Sequence, residues 1–243
     1  MKKQAVKYIY DESVHNMKAP TVVVPFVLEL FPVIHSVVDF GCGLGTWLKA
    51  FKDMGVTEIL GLDGPWNDRD LLYKFIQENE FKCVDLEKPI QLSKVYDLVI
   101  SLEVAEHLRE EFADTFVQSL VDAGKIILFS AATPGQKGFK HVNEQWPAYW
   151  VNKFRQHGYK SYDVIREKIW NYPEVETWYK QNMFLIVHHS IKMNYEETDI
   201  LPRIHPDTKK MMYKIGRIKR GISLYCRLFF VSILNMTKKN IIS

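Results

Sequence analysis

Cysteine is scarce in these 243 residues: Cys42, Cys83 and Cys226 lie far apart and match no metal or redox spacing. That excludes a disulfide-stapled scaffold and makes a reduced, cytoplasmic protein the expectation. Long hydrophobic runs are missing too. The most apolar stretch, residues 222–236, is broken by Arg227 and small polar residues and is too short to span a bilayer. The opening segment, Met1 to Tyr8, carries basic residues but no apolar core behind them, so it does not read as a secretory signal. Internal repeats are absent. Basic charge is scarce before residue 203, where 22 Lys/Arg face 28 Asp/Glu, whereas from Arg203 onward ten Lys/Arg face only Asp207. A mildly acidic body argues against a nucleic-acid channel across it. The remainder, 47% hydrophobic and 25% charged, is an ordinary globular composition, enough for one α/β domain with additions.

What the chain does have is concentrated between residues 36 and 47. The run Ser36-Val37-Val38-Asp39-Phe40-Gly41-Cys42-Gly43-Leu44-Gly45-Thr46-Trp47 passes from β-branched residues through an acid to three glycines at alternate positions, then to helix formers. It reads as a buried strand turning sharply into a helix over residues 46–54. The glycines let bare main chain lie against a ligand, and the helix points its free N–H groups at the same place. A dinucleotide turn needs G-x-G-x-x-G, and its spacing is not met here.

Three further β-like runs end in acids. Glu58-Ile59-Leu60-Gly61-Leu62-Asp63-Gly64 puts Asp63 about twenty residues past the glycines, where a carboxylate can hold both hydroxyls of a ribose. Phe81-Lys82-Cys83-Val84-Asp85-Leu86 closes on Asp85, and Tyr96-Asp97-Leu98-Val99-Ile100-Ser101-Leu102-Glu103 leads into Val104-Ala105-Glu106-His107-Leu108. Taken in order, Asp39-x-Gly41-x-Gly43-x-Gly45 and these strand ends resemble the class I S-adenosylmethionine (SAM) methyltransferases, over residues 37–187. The resemblance implies a Rossmann-like α/β fold: a seven-stranded, mostly parallel sheet with an antiparallel last strand and helices on both faces. It implies SAM as cofactor, leaving as S-adenosylhomocysteine (SAH). Asp39, Gly41, Cys42, Gly43, Gly45 and Trp47 would form the loop under the methionine half. Asp63 and Gly64 would hold the ribose, Asp85 and Leu86 the adenine, and Ser101, Leu102 and Glu103 would back the methionine end.

SAM carries its own leaving group, so the enzyme must align the acceptor and remove its proton. His107, after the fourth strand, and His141, beside Asn143 and Glu144 in the loop after the fifth, are the candidate bases, with Glu144 as support and Glu106 and Glu103 behind them. The expectation is that no metal takes part, although Glu106, His107 and His141 could instead converge on a divalent cation. Three segments resemble a narrower bacterial group associated with glycan biosynthesis: Val99 to Leu108, Phe129 to Gln136, and His141 to Trp150. Lys140 stands where that group usually has glycine. The resemblance implies a sugar hydroxyl or similar small polar acceptor on a capsule or lipopolysaccharide precursor. Adenine and cytosine N-methyltransferases carry Asn/Asp-Pro-Pro-Tyr/Phe where this chain has Ser101-Leu102-Glu103-Val104, so no nucleic-acid acceptor is expected. Two rival readings remain: a methyltransferase acting on a protein or other macromolecule, and a SAM-binding noncatalytic partner of a glycosyltransferase.

Residues 1–35 read as a lead-in, with Tyr8, Tyr10, Asp11 and His15 as a lid and a helix over residues 21–30 whose first turn holds Pro25. Residues 36–191 form the methyltransferase domain. Residues 192–243 form a basic helical extension, in which the stretch from Lys209 to Lys239 would either lie on an anionic membrane face or pack on the body or on a second subunit of a homodimer.

Overall fold

The computed structural model describes residues 15–208. The lid residues Tyr8, Tyr10 and Asp11, and the basic stretch from Lys209 to Lys239, lie outside them. Among the described residues, no helix is long and apolar enough to cross a membrane.

Seven strands form one sheet: β1 (Ser36–Phe40), β2 (Glu58–Asp63), β3 (Phe81–Cys83), β4 (Leu98–Leu102), β5 (Ile126–Ser130), β6 (Tyr159–Tyr162) and β7 (Phe184–His188). Their order is β3-β2-β1-β4-β5-β7-β6, and only β7 runs antiparallel to its neighbours. This is the Rossmann-like methyltransferase arrangement. Its central strands β1 and β4 are buried along their whole length, as β-branched runs covered on both faces should be. Alternate residues serve opposite faces. Val37 and Ile100 pack in one apolar cluster with Leu48 and Phe51, while Val38 and Val99 pack in the other with Phe116 and Phe129. The covering helices are α1 (Lys18–Leu30), α2 (Thr46–Asp53), α3 (Arg69–Leu72), α4 (Ala113–Ala123), α5 (Pro147–Arg155), α6 (Arg166–Ile169) and α7 (Thr177–Asn182).

Two elements differ from the sequence reading. Helix α1 starts at Lys18, where the Asn16 side chain accepts the Lys18 N–H at 2.8 Å, so Pro25 lies inside it. The burial of Val23, Val24 and Val27 against the sheet holds the helix through a residue that cannot donate to the carbonyl four positions back. The amphipathic run from Arg109 to Val121 reads by its spacing as one helix, but α4 starts at Ala113, because a 3-10 turn over Glu110–Phe112 intervenes.

The compact body ends at Arg203. Its last segment is tied on by Ser161, whose hydroxyl donates to the Thr198 carbonyl at 2.7 Å, and by Arg155, which pairs with Asp199 at 2.8 Å. Arg166, fully buried, donates to the carbonyls of Gln181 and Leu201 at 2.9 and 2.8 Å while pairing with Asp163.

Asp97 joins the start of β1 to the chain entering β4. One oxygen accepts the N–H groups of His35 and Ser36, each at 2.9 Å, and the Ser36 hydroxyl at 3.0 Å. Burial pushes this carboxyl up, but the three donors outweigh it and hold it below its ordinary value. A depressed folded-state pKa stabilises above the unfolded value and is lost as pH falls through the folded one. Asp97→Ala should therefore cost about 1 kcal/mol near neutral pH, at the low end because the group is solvent-screened. In chemical denaturation the deficit should shrink as pH falls below the ordinary carboxylate value; a deficit that stays constant with pH would refute the assignment.

Candidate functional site

The turn after β1 is shaped by close contacts. The N–H groups of Gly41 and Cys42 both donate to the Leu62 carbonyl, at 2.8 and 3.1 Å, which stitches the turn to β2. Gly41 has φ 91°, and a Cβ there would sit 2.8 Å from one Val104 methyl and nearer still to the other. The next glycine is clamped from both sides. Gly43 donates its N–H to Asp63 Oδ2 at 2.8 Å, and its carbonyl accepts the Asn67 side-chain amide at 2.6 Å. Asn67 also reaches Asp63 Oδ2 at 3.2 Å, and Gly64 donates to Asp63 Oδ1 at 2.6 Å. The loop main chain is thus fixed by the carboxylate that ends the second strand.

Above this turn, at the C-terminal ends of β1, β2 and β4, lies a cavity of about 940 Å³. Ordinary ligand cavities run about 300–1,000 Å³, so there is room for more than one small molecule. Asp39, Gly41, Cys42, Gly43, Trp47 and Asp63 line one side. Asp85, Leu86, Leu102, Glu103, His107 and His141 line the other. His15 and Asn16 also reach the wall. Asp39 is buried, and burial, reinforced by the nearby Asp63 carboxylate, pushes its carboxyl well above the usual range. The Cys42 thiol is pushed up mainly by burial and then by Asp63 and Asp39.

Four predicted site residues stand back from the wall. Ser101 is fully buried, in register with Phe129 of β5. Its strand neighbours Ile100 and Leu102 carry the opposite face, so the alternation turns Ser101 away from them. Gly45 is the left-handed cap of α2. Gly64 makes room for its neighbour: the Trp66 ring passes so near that a Cβ would stand 2.5 Å from one ring atom and nearer still to two others, and Trp66 reaches the wall instead. Glu144 holds the loop, accepting the N–H groups of Gly135 and Lys137 at 2.8 and 2.7 Å and facing His141 Nδ1 at 2.8 Å. Burial pushes Glu144 up, but the His141 contact and the two backbone donors more than offset it and keep it below the ordinary value.

The acceptor end is a group of carboxylates and imidazoles. Glu103, at φ 56°, takes side-chain amides from Gln136 at 3.0 Å and Asn182 at 3.1 Å. Burial keeps its carboxyl raised in spite of those donors. The rings of His107 and His141 lie 4.9 Å apart, nearly perpendicular. Burial, then His141, pushes His107 down to about 4, so its imidazole is neutral at physiological pH. Lys140, the residue that replaces a usual glycine, adopts φ 57°, which is the conformation glycine would take more easily. Trp47 and Tyr179 pack edge to face, 5.2 Å apart, at the cavity wall.

Sequence reasoning missed Asn67, a member of the breaker-rich run Gly64-Pro65-Trp66-Asn67-Asp68, and Glu87, a wall residue held by Arg109 at 2.9 Å. Neither has a local signal beyond its neighbours.

The fold and the glycine turn are those of the Rossmann-like methyltransferase arrangement. Residues 15–168 match the family described as methyltransferase domain, and the chain belongs to that family. No curated protein matches by sequence. Among solved structures, the sugar N-methyltransferase KedS8 from Streptoalloteichus sp. ATCC 53650 is similar at TM-score 0.56 and 12% identity, covering 77% of this chain and 96% of that one. PKMT2 from Rickettsia typhi, solved in complex with AdoHcy, is similar at TM-score 0.55 and 12% identity, over 74% of this chain and 55% of that one. The small RNA methyltransferase HEN1 is similar at TM-score 0.52 and 14% identity, over 84% of this chain and 29% of that one. At such identities the likeness is one of fold.

Gly41→Ala and Gly55→Ala separate contact from backbone strain. Both glycines have positive φ, but a Cβ at Gly55 meets nothing within 4 Å. Gly55→Ala should cost about 1–2 kcal/mol in unfolding free energy. Gly41→Ala should cost more and lower SAH affinity at least tenfold. Equal effects of the two on stability, with SAH affinity intact, would show that the turn is not shaped by Val104.

Proposed function

We propose that the protein transfers a methyl group from SAM to a hydroxyl of a small polar acceptor, a sugar or related precursor in surface-polysaccharide biosynthesis. One observation carries the reading: a single cavity meets the clamped glycine turn at one end and the His107–His141 pair at the other. Asp63, the carboxylate that ends β2 at the cavity wall, is the residue we assign to the ribose hydroxyls. Asp85 and Leu86 suit the adenine, and the buried Asp39 beside the glycine turn suits the positive methionine end. Support for SAM comes from the family and from PKMT2, solved with AdoHcy.

In the transfer the acceptor oxygen attacks the methyl carbon, the carbon–sulfur bond breaks, and the sulfonium becomes the neutral thioether of SAH. In the metal-free site the hydroxyl proton passes to His141, whose Nδ1 is held by Glu144, while neutral His107 packs beside it. The sugar assignment draws on the three glycan-group segments, and KedS8 is a sugar methyltransferase of the same fold. The cytoplasm, including the inner membrane face, is where such precursors are built. A macromolecular acceptor is the second reading, because HEN1 shares the fold.

The test is SAH release from SAM with the full chain and a panel of nucleotide sugars and glycan precursors, alongside RNA and protein. Turnover is expected with a sugar-bearing acceptor only; turnover with RNA or protein alone would move the reading to its rival, and SAH binding without turnover on any acceptor would make the chain noncatalytic. Asp63→Ala should weaken SAH binding by about 1–3 kcal/mol in calorimetry. His141→Ala should cut turnover by about 10²–10⁴-fold with SAH affinity nearly unchanged, and normal turnover in that variant would remove it from the chemistry.

A further inference from the structure

One carboxylate at the acceptor end is only weakly compensated. Glu106 is fully buried, and neither of its carboxylate oxygens makes a well-formed hydrogen bond, although its own backbone N–H and that of Ala132 favour its charge. Its backbone is firmly placed, since its carbonyl accepts the N–H groups of Val142 and Asn143 at 2.9 and 3.0 Å. A buried carboxylate is tolerated when it is protonated, paired or bound to a cation.

What surrounds it is a ligand set. His141 Nε2 stands 4.0 Å from Glu106 Oε1. One donor atom from each of Glu106, His107 and His141 lies within 4.8 Å of the others. Around an ion with bonds of about 2.1 Å, ligand atoms stand roughly 3–4 Å apart, so small side-chain rotations close the set. The other nitrogen of His141 already faces Glu144 at 2.8 Å, and Glu144 is itself fixed by Gly135 and Lys137. A carboxylate behind an imidazole in this way orients a metal-ligating ring.

We infer that Glu106, His107 and His141 form a binding site for one divalent cation, open toward the cavity that all three line. Two imidazoles with a single carboxylate suit zinc, cobalt, manganese or iron(II) better than magnesium, which prefers oxygen ligands. This departs from the sequence expectation of a metal-free base. It deepens the methyl-transfer reading and rests on it: a hydroxyl bound at an open position of the cation gives up its proton to solvent water more readily, its oxygen then takes the methyl as the carbon–sulfur bond breaks, and His141 serves as a ligand rather than as the proton acceptor.

The test uses the untagged full chain, stripped with chelator and titrated with Co²⁺, read by its visible ligand-field absorption and by calorimetry, with SAH binding measured in parallel. One Co²⁺ per chain is expected, displaceable by Zn²⁺. Glu106→Gln and His141→Ala should each weaken Co²⁺ binding by tenfold or more, and Glu144→Gln by about 10-fold to 100-fold, all with SAH binding retained. If the wild-type chain binds SAH but takes up no Co²⁺, or if Co²⁺ binding survives in a folded His141→Ala variant, the cation site is refuted while the methyltransferase reading stands. Loss of SAH binding in the wild-type chain would instead strike the reading beneath it.

Discussion

The site depends on one small arrangement: the Gly43 peptide held between the Asp63 carboxylate and the Asn67 amide. A glycine turn alone is mobile main chain. Tied to the last residue of the neighbouring parallel strand, it becomes a fixed wall, because β1 and β2 are themselves in register from Ser36 to Phe40. The same carboxylate then faces the cavity that the turn defines. On the proposed reading, loop geometry and ligand recognition are coupled through a single side chain, and perturbing either disturbs both.

The opposite end of the cavity is organised by acids in three different states. Glu103 is satisfied by two side-chain amides, and Glu144 by two backbone N–H groups and an imidazole. Glu106 makes no well-formed hydrogen bond through its oxygens, and only its own N–H and that of Ala132 favour its charge. Such a contrast within a few residues marks the point where the protein leaves a polar group for something it binds. The neutral state of His107 follows from the same crowding, since burial and a neighbouring imidazole both disfavour its charge.

Much of this was legible in the residue order. The β-branched runs ending in Asp39, Asp63 and the Leu102-Glu103 pair became β1, β2 and β4, and the alternate glycines became the turn between β1 and α2. Those signals are local: strand pattern, breaker residues and an acid at the boundary. What escaped depends on neighbours distant in sequence. Pro25 reads as a helix start, yet the apolar face of α1 packs through it. Asn67 reads as a turn, and its amide matters only because Gly43 passes beside it. Ser101 reads as a cofactor contact by its place in a motif, whereas strand alternation turns it into the core. Likewise the meeting of Glu106 with His141 needs the loop after β5 to fold back, as the backbone bonds from Val142 and Asn143 to the Glu106 carbonyl make it do.

The central claim is that the turn and the strand-end carboxylates enclose an adenosine linked to a sulfonium amino acid. The most direct measurement is a crystal structure of the full chain grown with SAH. The account predicts ribose hydroxyls within hydrogen-bond distance of the Asp63 carboxylate, the adenine edge at Asp85, and the amino-acid end over the Gly41–Gly43 main chain. An empty cavity at saturating SAH, or the nucleoside bound elsewhere with Asp63 facing only Gly43, Gly64 and Asn67, would contradict it.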